Sequence, residues 1–313
     1  MPADLHVEAY APREVARRVE KIGASKAEQD PWTTLALAFL AGAFIALGSQ
    51  FYTVAVHDSP FGVGLTQLIG GMAFCLGLAL VIVAGAELFT GNTLIVMAYV
   101  QNKISGRQLL RNWGLVYAGN FLGALAMVFL IYASGQYSLN HGLVGAQALL
   151  IAHGKAGLSF SAAFSRGILC NLLVALAVWL SLAGRNVVDK IAALLLPITA
   201  FVASGFEHSV ANMYFIPMGL LLKGHADLMV LAARAAGGPL NPALLSLTGL
   251  FRNLIPVTLG NVIGGAVLVG LTYWFVYLRP PGALRLPRLF PGTRPLLRPA
   301  RKPLRPRRNG PER

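Results

Sequence analysis

Long runs of apolar residues, each about as long as a helix needs to cross a bilayer, recur along the chain and set its organisation. Crossing the hydrocarbon core takes about 20 helical residues. The sequence offers six such runs, near residues 32–53, 65–97, 110–133, 161–183, 191–222 and 253–278. The second and fifth are too long and too interrupted by glycine and polar residues to be straight helices. Ahead of the first run, residues 11–22 place Val15, Val19 and Ile22 on one helical face, with Arg13, Arg17 and Lys21 mostly elsewhere. That spacing predicts a short amphipathic helix lying on the membrane surface or against the inner mouth of a pore. The expected fold is all-α and membrane-embedded, with an N-terminal segment (1–31), a six-span domain (32–278) and a C-terminal tail (279–313). No cleavable signal peptide is expected, because the N-terminus is polar and the first long apolar run starts after Pro31.

Composition sharpens this picture. Of 313 residues, 56% are hydrophobic and 12% charged, about half the charged fraction of a soluble domain. The net charge of +14 is concentrated in the tail, where eleven Lys or Arg stand against Glu312 and nine of the eighteen prolines gather. Such a segment reads as a disordered extension that meets anionic lipid rather than nucleic acid. Cys75 and Cys170 both fall inside apolar runs, so no disulfide is expected. Lys103, Arg107, Arg111, Arg185 and Lys190 cluster in alternate loops, while residues 54–64 carry no Lys or Arg. The positive-inside rule then places both termini in the cytoplasm.

An internal repeat is visible. Arg111-Asn112, Gly119-Asn120 and Gly123 recur at the same spacing as Arg252-Asn253, Gly260-Asn261 and Gly264. Upstream, Gly85-Ala86-Glu87 with Asn92 matches Gly205-Phe206-Glu207 with Asn212. Each copy holds three spans, an odd number, so the second enters the membrane from the opposite side. Inverted repeats of this kind place a solute site near the midplane, where the copies meet. The second copy carries extra residues, assigned to an outer loop over 223–252.

The repeat also predicts where helices break. Residues 85–92 and 205–212 put glycines, an acid and polar groups inside the second and fifth runs. Irregular backbone at that depth is tolerated only when buried in protein or lining a cavity. A broken helix offers free N–H groups and a positive dipole end, which suit an anion or a polarised neutral solute. Thr90 and Ser209 add hydroxyls there. His208 alone among six histidines lies at mid-membrane depth. It either cross-links helices or marks the pathway, and the cost of an intramembrane ionisable group favours the pathway. Zinc is not expected, since no second His or Cys sits at ligand spacing. Glu87 and Glu207 occupy equivalent positions, and tying the broken backbone together is preferred over a proton relay. Asn171 and Val174 share one helical face, as do Phe74 and Leu78, and either pair could be ordinary packing. No nucleophile–base pair is apparent, so neither an enzyme nor a cofactor is expected.

At the two broken runs the chain resembles the formate/nitrite transporter family. The resemblance is carried by Gly85-Ala86-Glu87-Leu88-Phe89-Thr90-Gly91-Asn92, by residues 205–213, and by the run Cys170-Asn171-Leu172-Leu173-Val174 continuing to Trp179. It extends from about Pro12 to Leu278, and the formate-channel branch is the more similar. It implies an aquaporin-like protomer, a homopentamer, and passage of small monovalent anions such as formate or nitrite together with protons. By motif position it makes His208 the central pore histidine and Thr90 its facing hydroxyl. Asn171 and Asn212 would line the same region, and Lys155 would draw anions to the outer vestibule. Phe74, Leu78, Leu88, Phe89, Val174 and Phe201 would form apolar constrictions. Gly91-Asn92 after Phe89-Thr90 is shared with nitrite-type members, so the motif does not settle the substrate. Hydrosulfide is a rival cargo. A water or glycerol channel is the remoter alternative, since Asn241-Pro242, the one Asn-Pro in the chain, lies in an outer loop without the repeat such a channel needs.

Overall fold

The computed structural model describes residues 8–280. The readings made for the tail therefore lie outside the described residues from 281 onward. A surface helix, α1 (Pro12–Glu28), leads to α2 (Pro31–Val56) and α3 (Val63–Ala84). After a break come α4 (Phe89–Asn92), a turn, and α5 (Val96–Val100), followed by α6 (Gly106–Ala133). The second half runs α7 (Leu143–Ala156), α8 (Phe160–Ala183), α9 (Val187–Ala203), a second break, α10 (Ser209–Leu222), α11 (Ala226–Ala236) and α12 (Leu247–Val262). Residues 263–271 and 274–278 prolong α12 with π winding. Among the described residues, five helices are long and apolar enough to cross a membrane: α2, α3, α6, α8 and the final helix Leu247–Leu278. The sixth crossing is the broken pair α9 and α10. The amphipathic α11 turns 118° away from α10 and buries Leu228 and Ala232 against α7.

Local chemistry explains the helix starts. Asp30 caps α2 by accepting from the N–H groups of Trp32 (3.1 Å) and Thr33 (3.0 Å). Ser105 with Gln108, and Asn186 with Asp189, form reciprocal capping boxes at α6 and α9. Ser159 caps α8 through Ala162 N–H. Within the bundle, glycines permit close helix contact where a side chain would collide with backbone. A Cβ on Gly42 or Gly123 would strike the facing main chain of Asn120 or Phe39, and one on Gly260 or Gly264 that of Phe164 or Ile168. Small residues four apart are a common means of bringing membrane helices together.

The structure lengthens two elements expected from sequence. The amphipathic helix foreseen over 11–22 runs to Glu28, because Gly23 and Ala27 remain buried against Ile95 and Ala98. The outer segments read as loops contain α7 and α11, which are too short to span but are held by mutual packing. With α7 included, the repeat unit becomes a surface helix followed by three spans, and α1 is its counterpart in the first copy. The chain ahead of α1 is clamped to the second half: Tyr10 N–H donates to Ala183 O (3.0 Å), and its ring lies between Arg18 (3.9 Å) and Arg185 (4.0 Å).

Candidate functional site

Each break begins at a glycine in the left-handed region, Gly85 (φ 80°) and Gly205 (φ 66°), with open space beside it. The need there is conformational, since L side chains rarely adopt that backbone. One asparagine then anchors each break. Asn120 accepts from Phe89 N–H (2.9 Å) and donates to Ala38 O (2.8 Å) and Glu87 O (2.9 Å). Its repeat partner Asn261 accepts from Ser209 N–H (2.9 Å) and donates to Gly167 O (2.8 Å) and Glu207 O (3.0 Å). A fully buried amide thus satisfies backbone groups that the missing helical turn leaves open.

A second duplicated network secures the acids. Asn92 donates to Glu87 (2.6 Å) and Asn112 (2.9 Å), Asn112 donates to Lys26 O (3.1 Å), and the Lys26 ammonium pairs with Glu87 (3.0 Å). In the other half Asn212 donates to Glu207 (2.6 Å) and Asn253 (2.7 Å), Asn253 donates to Lys155 O (2.9 Å), and Lys155 pairs with Glu207 (2.8 Å). The halves differ in two contacts, one being that Asn253 also donates to Glu207 Oε2 (3.4 Å) while Asn112 makes no such bond to Glu87. Lys26 also donates to Asn92 Oδ1 (2.9 Å), whereas Asn212 Oδ1 is buried without a partner in the protein. Lys26 was missed as a candidate by sequence reasoning. Its signal was available: it stands four residues before the cap Asp30, as Lys155 stands four before the cap Ser159.

Between the two networks the breaks face each other. His208 Nε2 lies 3.0 Å from Thr90 Oγ1, and its Nδ1 accepts from Ala211 N–H at 3.1 Å. Because Nδ1 is an acceptor, the neutral ring carries its proton on Nε2, aimed at Thr90. Phe201 stacks on the imidazole (6.0 Å, 25°), and Phe74 meets Phe201 edge-on at 5.6 Å. Two cavities lie near this centre, named outer and inner for the orientation expected from the sequence. The outer, about 300 Å³, is lined by His208, Lys155, Phe74 and Phe201 among others. The inner, about 70 Å³, is bounded by Leu78, Leu88, Lys26 and Asn92, with α1 contributing Val19 and Ile22.

The remaining candidates lie elsewhere around the site. Asn171 donates to Thr90 O (3.2 Å), Thr93 Oγ1 (3.2 Å) and Asn261 O (2.6 Å), bracing the Thr90 turn. Asn212 belongs to the Glu207 network. Phe89 packs on Tyr117 (4.9 Å) and Trp113 (6.3 Å) of α6. Val174 is buried in the core and borders neither cavity. Among the described residues, no group of three or more His, Cys, Asp or Glu could hold a metal ion.

This arrangement, two inverted copies meeting at a His–Thr pair, coincides with a known family. The family model for formate/nitrite transporters matches residues 13–275. The chain belongs to the formate/nitrite transporter family. It is a membrane transport protein of that family, not an enzyme. It is 44% identical over 283 residues to the formate channel FocA of Escherichia coli K12, covering 89% of this chain and 98% of that one. It is 41% identical to the formate channel FocA of Haemophilus influenzae, covering 84% and 93%. Among solved structures, a pentameric formate channel with formate bound superposes with TM-score 0.72 at 40% identity, covering 80% of this chain and 98% of that one. Another FNT-family ion channel gives TM-score 0.72 at 28% identity, covering 84% and 98%.

Proposed function

We propose that this chain is a formate channel, acting as a homopentamer with one path per protomer, and that His208 governs passage through each. The observation that carries the reading is the Thr90–His208 contact (3.0 Å), reached by the outer cavity at His208 and walled by Phe74 and Phe201.

The physical difficulty is desolvation. A bare anion in a low-dielectric constriction costs on the order of tens of kcal/mol on Born grounds, and still several after relaxation. Protonating a carboxylic acid of pKa about 3.7 at pH 7 costs ~4.5 kcal/mol, at 1.36 kcal/mol per unit. Neutralisation therefore competes with passage as an ion. Lys155 and the N-terminal ends of α4 and α10 concentrate the anion. His208 meets it with the Nε2–H now shared with Thr90, acting as a strong hydrogen-bond donor that keeps its proton, and a solute that crosses as the neutral acid takes its proton from water in the vestibule. Nδ1 is already engaged by Ala211 N–H, so the role that fits the ring is that of a fixed donor.

The test is uptake of isotope-labelled formate into proteoliposomes. His208→Phe should abolish proton-coupled uptake, and unchanged uptake would remove His208 from the mechanism. A panel with nitrite and hydrosulfide in the same vesicles decides the preferred cargo.

In this reading both termini are cytoplasmic and the membrane is a bacterial inner membrane, supported by Lys103, Arg107, Arg111, Arg185 and Lys190 on one side. The eleven Lys and Arg from 279 onward are then placed to meet anionic lipid of the inner leaflet, a reading that rests on charge alone. Reporter fusions at either end, active only in the cytoplasm, check the orientation.

A further inference from the structure

The two halves repeat each other closely around the breaks, yet their cavities are lined differently. In the inner cavity only Lys26 and Asn92 carry polar side chains among the described residues. The outer cavity adds Tyr52, Gln67 and Ser204 to Lys155 and His208. The repeat register is fixed by Ala38 with Gly167, which accept from the anchoring asparagines, and by Val81 with Phe201, which accept from Ala86 and Phe206. In that register the inner counterparts of Tyr52 and Gln67 are Ser181 and Val187. Ser181 turns its hydroxyl to Val178 O (2.7 Å), and Val187 has no donor. The outer pair is therefore an addition to the shared scaffold.

Its geometry has a direction. Tyr52 donates its hydroxyl to Gln67 Oε1 at 3.0 Å, which occupies the amide's acceptor end. The Nε2 end, with its two N–H groups, has no protein acceptor among the described residues, and Gln67 borders the outer cavity. Phe215 holds the arrangement together: Tyr52 meets its ring edge-on at 5.9 Å, and the Lys155 ammonium lies 5.3 Å from its centroid. One aromatic side chain thus spaces the hydroxyl that orients Gln67 and the cation that attracts an anion. An amide N–H together with an ammonium suits an oxyanion with two separate acceptor atoms. A single-centred soft anion such as hydrosulfide makes poor use of the amide.

We propose that Gln67 is an oxyanion-docking residue of the outer vestibule, with Tyr52 as its positioning residue, so that entry from the outer side favours anions with two oxygen acceptors, formate among them, over hydrosulfide. The inference rests on the formate-channel reading and adds a specificity determinant to it. Losing one charge-assisted hydrogen bond at a partly solvated site should weaken capture about fivefold.

The experiment measures initial formate uptake against external concentration in oriented proteoliposomes, with hydrosulfide as the comparison anion. Gln67→Leu should raise the half-saturating external formate concentration about fivefold and leave hydrosulfide uptake and half-saturation from the inner side in place. Tyr52→Phe should shift formate in the same direction by a smaller factor, and it provides the test should Gln67→Leu fail to assemble. An unchanged half-saturation in both variants overturns the proposal. So does a fall in saturating flux alone, which would mark Gln67 as a packing residue, and so does an equal shift for formate and hydrosulfide. Absence of formate uptake by the wild-type chain would instead sink the formate-channel reading itself.

Discussion

At the scale of single residues, two buried asparagines hold the irregular backbone that makes the site. Asn120 and Asn261 each satisfy three main-chain groups at their break. Leaving a buried polar group unsatisfied costs about 1–3 kcal/mol, so Asn120→Ala and Asn261→Ala should each destabilise by about 2–5 kcal/mol, read as a fall in unfolding temperature in detergent. The paired acids are similarly exacting. Lys155→Met leaves the buried Glu207 without its cation, and breaking a buried pair from one side typically costs about 3–5 kcal/mol. The double change Lys155→Met with Glu207→Gln should recover most of that stability even where transport stays impaired, and thermal denaturation of both variants checks it. Outside the membrane, the Thr33 hydroxyl and then the Thr33 and Trp32 amides hold the Asp30 carboxyl below its usual value. Its native value is depressed, so its stabilisation is complete above the ordinary carboxylate pKa and is lost as pH falls through the lowered one. Asp30→Asn should therefore flatten the acid limb of a stability–pH curve. The break glycines and the acids were legible in the sequence because they recur as a motif, and His208 stood out as the one histidine inside an apolar run. The partner of each was not, because Lys26 and Glu87, or Asn171 and Thr90, are far apart along the chain and meet only through packing.

At the scale of elements, glycine contacts and surface helices decide how the spans meet. Gly123 and Gly264 stand at equivalent points of α6 and of the last helix, each against the main chain of a neighbouring span. Replacing either by leucine inserts volume where backbone already sits, which costs about 1–3 kcal/mol or more in a packed core. Loss of the monodisperse peak of the folded protein in size-exclusion chromatography is the expected result for both. The surface helix α1 is fixed at its two ends by different halves: Tyr10 is clamped between Arg18 and Arg185, while Arg111 binds Ala27 O (3.1 Å) and Gln29 O (2.8 Å). Tyr10→Ala should release the first end alone, seen as faster amide exchange over the early turns of α1 with the last turn still protected. Apolar periodicity foretold α1 and the six crossings. It did not foretell α7 or α11, whose 14 and 11 residues are too few to span and whose helicity depends on their packing against each other.

At the scale of the whole molecule, an inverted duplication produces two breaks with the same backbone solution and different side-chain surroundings. His208 occupies the place that Leu88 holds in the first copy, and the outer cavity is larger and more polar than the inner. The sequence by itself determined that the bilayer is this protein's solvent, that six apolar runs cross it, and that the second and fifth are broken at matching motifs. Those features are encoded in composition, run length and repetition, which are properties of neighbouring positions. Tertiary structure alone decided that Lys26 pairs with Glu87, that Phe89 turns to α6, that Asn171 braces the Thr90 turn, and that Gln67 borders the outer cavity. Each of these depends on which side chains from distant segments fill the same space, and a linear pattern carries no measure of that distance.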